Sequence, residues 1–275
     1  DKLRTAIGEG RIHVYNFGDR DYLDRLDIGR VYHTPLREVR GLSIERYFSE
    51  QGKNPLDSVD YETKHLKLVN VKGETVFETD AEFPVSWDAN SARIVAQKYF
   101  FSPVKEEWKE KLQKKIDSPE ESSIRHLITR VSNFFAGKGF ELGYFETPED
   151  RDTFRDELMA LQIQRKISFI SPVQFNAGLF NEYGIEGSDS INYVKNPKTG
   201  EITRIKNSEY IHPQCHACFI KGPRDDLESI LLHVVDEGAI FAAGSGAGQN
   251  IGELRETDAL LSGGGKASGA ISFLK

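Results

Sequence analysis

The chain has 275 residues, 38% of which are hydrophobic, and a formal net charge of −7. The negative charge argues against a nucleic-acid coat or an anionic membrane surface, so neither nucleic acid nor membrane is an expected partner. No run of 18 apolar residues is present to span a bilayer, and the first residues lack the apolar core of a signal peptide. Two cysteines are too few for a disulfide framework, which makes a reducing, cytoplasmic environment the expectation.

Strand signals come first along the chain. Residues 11–17 (RIHVYNF) have the composition of a short strand. Residues 66–71 and 75–77 flank Gly73, and two such runs around a glycine turn predict a β-hairpin.

Helical signals follow the hairpin. Ser86 is expected to cap a helix whose apolar side chains recur on one face. The residues of that face are Ala92, Val95, Ala96, Tyr99 and Phe100. Residues 105–115 interleave acids with bases, which is typical of a solvated helix face and not of a nucleic-acid contact.

Two further helices have start signals. Ser118 supplies a capping hydroxyl before Pro119, and a glutamate occupies the third helical position. The helix that follows is expected to end at Gly137 and Gly139. Thr147 repeats the same start signal for the next helix.

The last part of the chain alternates strand and helix signals. Residues 167–173 are predicted as a buried strand, and residues 191–194 and 202–205 as the two strands of a hairpin. The apolar run at residues 217–220 predicts another strand.

A helix is predicted to begin at Asp225 and Asp226, because acids suit the positive end of a helix dipole. Its apolar positions are expected to form a buried stripe. They are Leu227, Ile230, Leu231, Val234 and Val235.

The two cysteines, Cys215 and Cys218, are three residues apart at the predicted strand of residues 217–220. Residues three apart on a strand face opposite sides of the sheet and lie about 10 Å apart along it. This geometry is poor for a disulfide between them. A redox partner for either thiol would therefore have to come from elsewhere.

Two glycine clusters, at residues 244–248 and 263–265, have Arg255 and Lys266 nearby, which favours close approach of the backbone to a phosphate over tight turns alone. A dinucleotide-binding fingerprint fails because its third glycine would fall on Gln249. A Walker A loop fails because no serine or threonine follows Lys266.

A zinc site could draw on His212, Cys215, His216 and Cys218. These four residues lack the second clustered pair of a structural zinc site and adjoin a predicted strand, so no metal site is predicted.

Six motifs occur in an order and spacing that together resemble one known family. They are GLSIERYF, SWDANSARIVAQKYF, SFISPVQFNAG, PQCHACFI, GSGAGQN and LSGGGKASG, and they extend from about Gly41 to Lys275. The chain resembles the large catalytic subunit of ribonucleotide reductases, most closely the adenosylcobalamin-dependent class II type. Residues 1–40 match no part of that family and are an unassigned N-terminal extension.

The resemblance implies an α/β fold in which an N-terminal layer of helices and small strands precedes the first half of a ten-stranded α/β barrel, incomplete in this chain. Residues 41–167 would be the mostly helical region, and residues 168–275 the barrel half with the substrate and effector loops. Such enzymes remove the 2′-hydroxyl of a ribonucleotide by radical chemistry. A thiyl radical abstracts the 3′-hydrogen, and two further cysteines supply the electrons and become a disulfide.

The resemblance also assigns the expected catalytic and substrate-binding residues. Cys218 matches the first of the two reducing cysteines, whereas Cys215 replaces a small residue of the family pattern and is expected to be a bystander. Ser171, Ala217 and Gly246 match substrate contacts, as does Cys218 itself.

An allosteric site is implied as well. Asp225 and Arg255 match positions that bind a deoxynucleoside triphosphate effector at the interface of a homodimer, and Lys266 lies in the neighbouring effector loop.

The family's radical cysteine, its second reducing cysteine and its later phosphate-binding loop match nothing in this sequence. The expectation is therefore an N-terminal half that is inactive alone and works with a complementary C-terminal polypeptide. Adenosylcobalamin is the expected cofactor, with most of its contacts outside the chain. Two alternatives remain open: a class I subunit with a diiron partner, and a nucleotide-binding regulatory module without catalysis.

Overall fold

The computed structural model describes residues 41–190, 192–196 and 199–274. Over these ranges the structure is a mixture of helices and strands, as an α/β chain requires. The strand predicted at residues 11–17 lies outside the described residues.

Seven helices and six strands are formed within the described ranges. The helices are α1 (Ala89–Tyr99), α2 (Glu106–Ile116), α3 (Ile124–Glu141), α4 (Pro148–Ile163), α5 (Ser171–Asn176), α6 (Leu179–Tyr183) and α7 (Leu227–Ala242). The strands are β1 (Tyr61–Val69), β2 (Thr75–Pro84), β3 (Tyr193–Lys195), β4 (Ile202–Arg204), β5 (Cys218–Lys221) and β6 (Gly246–Gln249). Short 3-10 turns occur at Pro55–Ser58 and Ala270–Leu274.

The first predicted hairpin is confirmed. β1 and β2 pair antiparallel; β1 begins five residues before the predicted strand and ends at Val69, and β2 continues past residue 77 to Pro84. Gly73 has a φ of 81° in the turn, a conformation that glycine adopts without steric cost. Leu66, Ala81 and Phe83 of the two strands are buried in the core.

The start predicted for α1 and the start predicted for α3 are both wrong by a few residues. Asp88, not Ser86, caps α1, and its carboxylate accepts the backbone N–H three residues later at 2.9 Å. Ser123, not Ser118, caps α3, and its hydroxyl accepts the N–H two residues later at 3.1 Å. The Ser118 hydroxyl instead donates to the carbonyl of Glu120 at 2.6 Å.

The predicted end of α3 is also wrong, because the helix continues through Gly137 and Gly139 to Glu141. A Cβ atom at Gly139 would come within 2.5 Å of the Phe145 ring. Gly139 therefore permits a close packing contact and does not end the helix.

The start signal of α4 is confirmed as a complete capping box. The backbone N–H of Asp150 donates to the Thr147 hydroxyl at 3.1 Å, and the N–H of Thr147 donates to the Asp150 carboxylate at 3.1 Å. Asp150 also accepts from the N–H of Ile44 at 2.8 Å, which fixes the preceding segment to α4.

The main hydrophobic core lies where the first hairpin meets α1, α3, α4 and α5. Its buried members include Leu66, Phe83, Ala92, Ile128, Val131, Met159, Ile163, Val173 and Ala177. A smaller cluster joins α2 to α6 through Leu112, Leu179, Tyr183 and Ile185. The segment from α5 onward is thus packed into the N-terminal layer.

The second predicted hairpin is confirmed as β3 and β4, but the strand predicted before it is wrong. Residues 167–170 form no strand, and α5 begins at Ser171. Pro172 lies in the first turn of α5, where its missing N–H costs nothing. The N–H of Val173 donates to the carbonyl of Ile170 at 3.0 Å and closes that turn.

β5, α7 and β6 form a βαβ unit. The two strands are parallel, with Cys218 opposite Gly246 and Lys221 opposite Gln249. β5 begins at Cys218, so Cys215 precedes the strand and the expectation that both cysteines share it is wrong. Asp226 caps α7 by accepting the N–H of the residue three positions later at 2.7 Å.

The buried stripe predicted for α7 is only partly present. Ile230 is 8% exposed, but the other four predicted positions are more than half exposed. They are Leu227, Leu231, Val234 and Val235. Within the described ranges, therefore, α7 presents a row of apolar side chains to solvent. No described helix is long and apolar enough to cross a membrane.

Candidate functional site

Three of the four residues predicted to contact substrate are brought together by the parallel strands. Cys218 and Gly246 are paired across β5 and β6. The N–H of Gly246 donates to the carbonyl of Ala217 at 2.7 Å, just before β5. The start of the strand pair therefore gathers these residues into one patch.

The two cysteines lie in different surroundings, and both are free thiols. Cys218 is exposed at the start of β5. Cys215 is half-buried and packs against the main core, and this burial raises the pKa of its thiol to about 11. Because the thiolate is the reactive form, Cys215 is a poor nucleophile at neutral pH. The exposed thiol is the one suited to redox chemistry.

Hydrogen bonds connect α5 to the start of the strand pair. The Asn176 side-chain amide donates to the carbonyl of Gln214 at 2.9 Å, and the Gln214 amide donates to the Ser245 hydroxyl at 2.7 Å. Gly244 has a φ of 73°, and a Cβ there would come within 2.6 Å of the Phe175 ring. α5 is thus fixed against the turns that lead into β5 and β6.

Ser171, the fourth predicted substrate contact, is the first residue of α5. Its hydroxyl is half-buried and lies 3.1 Å from the hydroxyl of Tyr99, the last residue of α1. Ser171 and the strand patch are therefore parts of one hydrogen-bonded frame.

A buried ion pair that the sequence did not indicate supports this frame. Arg130 on α3 is fully buried, and its Nε donates to the Glu121 carboxylate at 2.7 Å. The same guanidinium donates to the carbonyls of Ala177 and Gln174, each at 2.7 Å, and to that of Tyr99 at 3.0 Å. The amphipathic pattern of α3 contains no signal for these contacts, since Glu121 precedes the helix and the three carbonyls are 31 to 47 positions away.

Glu121 has its own set of donors. Its carboxylate accepts from the N–H of Phe101 at 2.8 Å and from the Tyr183 hydroxyl at 2.8 Å. Burial raises the pKa of Tyr183, so its hydroxyl stays a donor. The charges of Arg130 and Glu121 are thus compensated by each other and by buried hydrogen-bonding groups.

The three residues predicted to bind an effector line one cavity of about 340 Å³. Its polar wall contains two carboxylates, those of Asp225 and Asp226, and two cations, those of Arg255 and Lys266. Apolar lining comes from Leu227, Ile230, Leu254, Leu261 and Phe273. The cations can contact an anionic group and the apolar side chains a flat, partly apolar group, although the two carboxylates balance the charge of the two cations.

Asp225 and Arg255 contact each other. The Arg255 Nε donates to the Asp225 carboxylate at 2.7 Å, and the Arg255 backbone N–H donates to it at 3.2 Å. The pKa of the Asp225 carboxyl is lowered mainly by the hydrogen bond from the Arg255 backbone N–H, and to a smaller extent by the Arg255 guanidinium. Since Asp226 provides the helix cap, Asp225 serves to orient Arg255 and does not start the helix.

The second glycine cluster forms a tight turn beside this cavity. Gly264 has a φ of 84°, and the N–H of Leu261 donates to the carbonyl of Gly265 at 2.8 Å. The turn brings Lys266 to the cavity wall, where its ammonium lies 3.4 Å from Asp258. Among the described residues no group of three or more potential ligands is arranged to hold a metal ion.

Two sequence models of known families match the chain. "Class II vitamin B12-dependent ribonucleotide reductase" matches residues 62–164. "Ribonucleotide reductase, barrel domain" matches residues 216–275, which contain β5, α7, β6 and the effector-like cavity. By class, the sequence of this part of the chain matches the barrel domain of ribonucleotide reductases.

Curated relatives agree with that class. The vitamin B12-dependent ribonucleotide reductase of Bradyrhizobium diazoefficiens is 35% identical over 260 residues, which cover 85% of this chain and 21% of the relative. The corresponding protein of Rhodopirellula baltica is 34% identical over 247 residues, covering 89% of this chain and 23% of the relative. The chain spans about a fifth of the length of the curated relatives it matches. It belongs to the class II vitamin B12-dependent ribonucleotide reductase family.

Proposed function

We propose that the chain is part of an enzyme that reduces ribonucleotides to deoxyribonucleotides. The observation that carries the proposal is the exposed Cys218 thiol at the start of β5, paired with Gly246, within the residues that the barrel model matches. Two thiols are oxidised to a disulfide in the overall reaction, and the 2′-hydroxyl leaves as water. Cys218 supplies one of these thiols, with Ser171, Ala217 and Gly246 as substrate contacts.

The second reducing thiol comes from another part of the enzyme. Cys215 is not suited to the role, because burial raises the pKa of its thiol and it precedes the strand that carries Cys218. The radical cysteine likewise matches no residue of this sequence. The working enzyme therefore combines this chain with a complementary C-terminal portion, which agrees with the fraction of the relatives that it covers.

The barrel is also a proposal, supported by one unit of the fold. β5, α7 and β6 form parallel strands joined by a helix, which is the repeating element of α/β barrels. We assign residues 168–275 to the first half of a ten-stranded barrel and residues 41–167 to the layer that precedes it.

Adenosylcobalamin is the proposed radical source. The two relatives described above are vitamin B12-dependent, and the family that matches residues 62–164 is the class II vitamin B12-dependent type. The described residues do not form a site for it on their own. Two of their cavities, of about 530 and 340 Å³, are small for a corrinoid with its adenosyl group, and no group of three or more metal ligands is arranged among the described residues. The contacts that hold the cofactor therefore belong mostly to the complementary portion.

We further propose that the cavity of Asp225, Arg255 and Lys266 binds a deoxynucleoside triphosphate effector. The two cations suit a phosphate, and the apolar wall suits a base. The exposed apolar row on α7 adjoins this cavity through Leu227, which supports a homodimer interface on the same side.

The test of the proposed activity compares the chain alone with the complete reductase. Adenosylcobalamin, a ribonucleotide and dithiothreitol are supplied to each, and deoxyribonucleotide is measured. The complete enzyme should form product and the chain alone should not. Turnover by the chain alone would contradict the requirement for a second portion, and no turnover by the complete enzyme on any ribonucleoside di- or triphosphate would refute the function.

A further inference from the structure

Tyr99 lies where two helix ends meet the proposed substrate site. It is the last residue of α1, and its hydroxyl is 3.1 Å from that of Ser171, the first residue of α5. The sequence predicts Tyr99 only as one of the apolar positions of α1. The hydrogen bond gives its polar end a separate role.

The two helices that carry the partners of this hydrogen bond are linked by one guanidinium. The Nη2 atom of Arg130 donates to the carbonyl of Tyr99 at 3.0 Å, which holds the end of α1. Nη2 and Nη1 of Arg130 also donate to the carbonyls of Gln174 and Ala177, each at 2.7 Å, which holds the end of α5. Because a guanidinium is planar and rigid, the two helix ends cannot shift relative to each other without breaking these bonds.

The Arg130 side chain is itself fully buried and is balanced by Glu121. A charged pair with no exposure cannot exchange its partners for water at low cost. The relative position of α1 and α5, which carry Tyr99 and Ser171, is thus set by the protein interior before any substrate binds.

A serine hydroxyl is free to rotate unless a partner fixes it. A phenol is a stronger acid than an alkyl alcohol, so the Tyr99 hydroxyl is the better donor of the two. When it donates to Ser171 Oγ, the hydrogen of Ser171 remains available for an acceptor oxygen on the substrate. Orienting a binding group in advance removes part of the entropic cost of binding.

We propose that Tyr99 is a positioning residue for substrate binding, acting through the hydroxyl of Ser171. The inference rests on the proposed function, in which Ser171 contacts the ribonucleotide. It assigns to Tyr99 no contact with the reacting atoms.

The test is a double-mutant cycle in the complete reductase with Tyr99→Phe, Ser171→Ala and the double variant. Tyr99→Phe removes only the hydroxyl and keeps the ring and the carbonyl that binds Arg130. It should raise the substrate KM about two- to tenfold, the range of one hydrogen bond, with kcat and the melting temperature nearly unchanged. In the Ser171→Ala background the same change should have little further effect on KM, because the residue through which Tyr99 acts is gone.

Tyr47→Phe is the matched control, since Tyr47 is 83% exposed and makes no hydrogen bond through its hydroxyl among the described contacts. It should leave KM unchanged. If wild-type enzyme is active but Tyr99→Phe leaves KM unaltered, or raises it equally in both backgrounds, the positioning role is refuted while the proposed function stands. If wild-type enzyme reduces no ribonucleotide, the proposed function itself fails.

Discussion

At the scale of single residues, the environment of each thiol decides its chemistry. Cys218 is exposed at a strand start, and Cys215 is packed against the core with a pKa of about 11. In the complete reductase we expect Cys218→Ser to abolish turnover with dithiothreitol as reductant, since one of the two reducing thiols is lost. Cys215→Ser should keep most of the activity. Equal loss in both variants would show that the roles are wrongly assigned.

The same difference can be measured without turnover, by alkylation of the chain with iodoacetamide. A group with a pKa of about 11 is almost entirely protonated at pH 8, and its rate should increase about tenfold for each pH unit up to that pKa. Mass spectrometry should therefore find Cys218 modified well before Cys215. Faster modification of Cys215 in the folded chain would contradict its burial.

At the scale of secondary-structure elements, the buried pair of Arg130 and Glu121 joins α1, α3, α5 and α6. Arg130→Met should lower the free energy of unfolding by about 3–5 kcal/mol, because it leaves Glu121 buried without its counter-charge. The control is Lys138→Met, which breaks a more exposed pair with Glu141 on the same helix and should cost less than about 1 kcal/mol. Urea unfolding followed by circular dichroism measures both, and equal effects would show that the buried pair is not a principal link.

How far the sequence predicts these elements depends on how local each signal is. The capping box at Thr147 and the turn at Gly73 are predicted correctly, because the deciding contacts lie within four residues. The start of α3 is predicted at Ser118, but Ser123 caps the helix; the Ser123 hydroxyl also donates to the Glu82 carboxylate at 2.8 Å, a contact 41 residues away that no local pattern indicates. Residues 167–173 have the composition of a strand, but a strand forms only where a neighbouring strand is available for pairing, and no local pattern shows whether one is.

The candidate site is likewise predicted from the sequence only in part. Motif resemblance identifies Asp225, Arg255 and Lys266, and the structure places all three on one cavity. It does not identify Tyr99 or Arg130, whose roles come from hydrogen bonds to α5.

At the scale of the whole molecule, the exposed face of α7 has to be covered in any stable assembly. Six apolar side chains on that helix are more than half exposed within the described ranges: Leu227, Leu231, Leu232, Val234, Val235 and Phe241. If the face forms a dimer, Leu231→Glu should shift the complete reductase toward monomer, because a buried unpaired charge is costly. Val71→Glu is the control, since Val71 is fully exposed at the tip of the first hairpin. Sedimentation of both variants measures the effect, and an unchanged dimer in Leu231→Glu would exclude this face.

The cavity of Asp225, Arg255 and Lys266 lies at one end of that helix, so the proposed effector binding and the proposed dimer assembly should be linked. The Arg255 guanidinium donates to the Asp225 carboxylate at 2.7 Å through Nε and to the Asp225 carbonyl at 3.2 Å through Nη2, which leaves its other N–H groups for a phosphate. Arg255→Ala should lower the affinity for a deoxynucleoside triphosphate about ten- to hundredfold, the loss of one charge-assisted hydrogen-bond pair. Asp225→Asn should have a smaller effect of the same sign, because an amide orients the guanidinium less strongly.

Calorimetric titration of the complete reductase measures these affinities, and sedimentation with and without effector follows the dimer. Arg93→Ala is the matched control, because Arg93 lies on α1 and is not part of the cavity. Effector that binds across the interface should also strengthen the dimer, since binding and association are then linked. If Arg255→Ala binds effector as tightly as wild type, the cavity is not the effector site, whatever the state of the dimer.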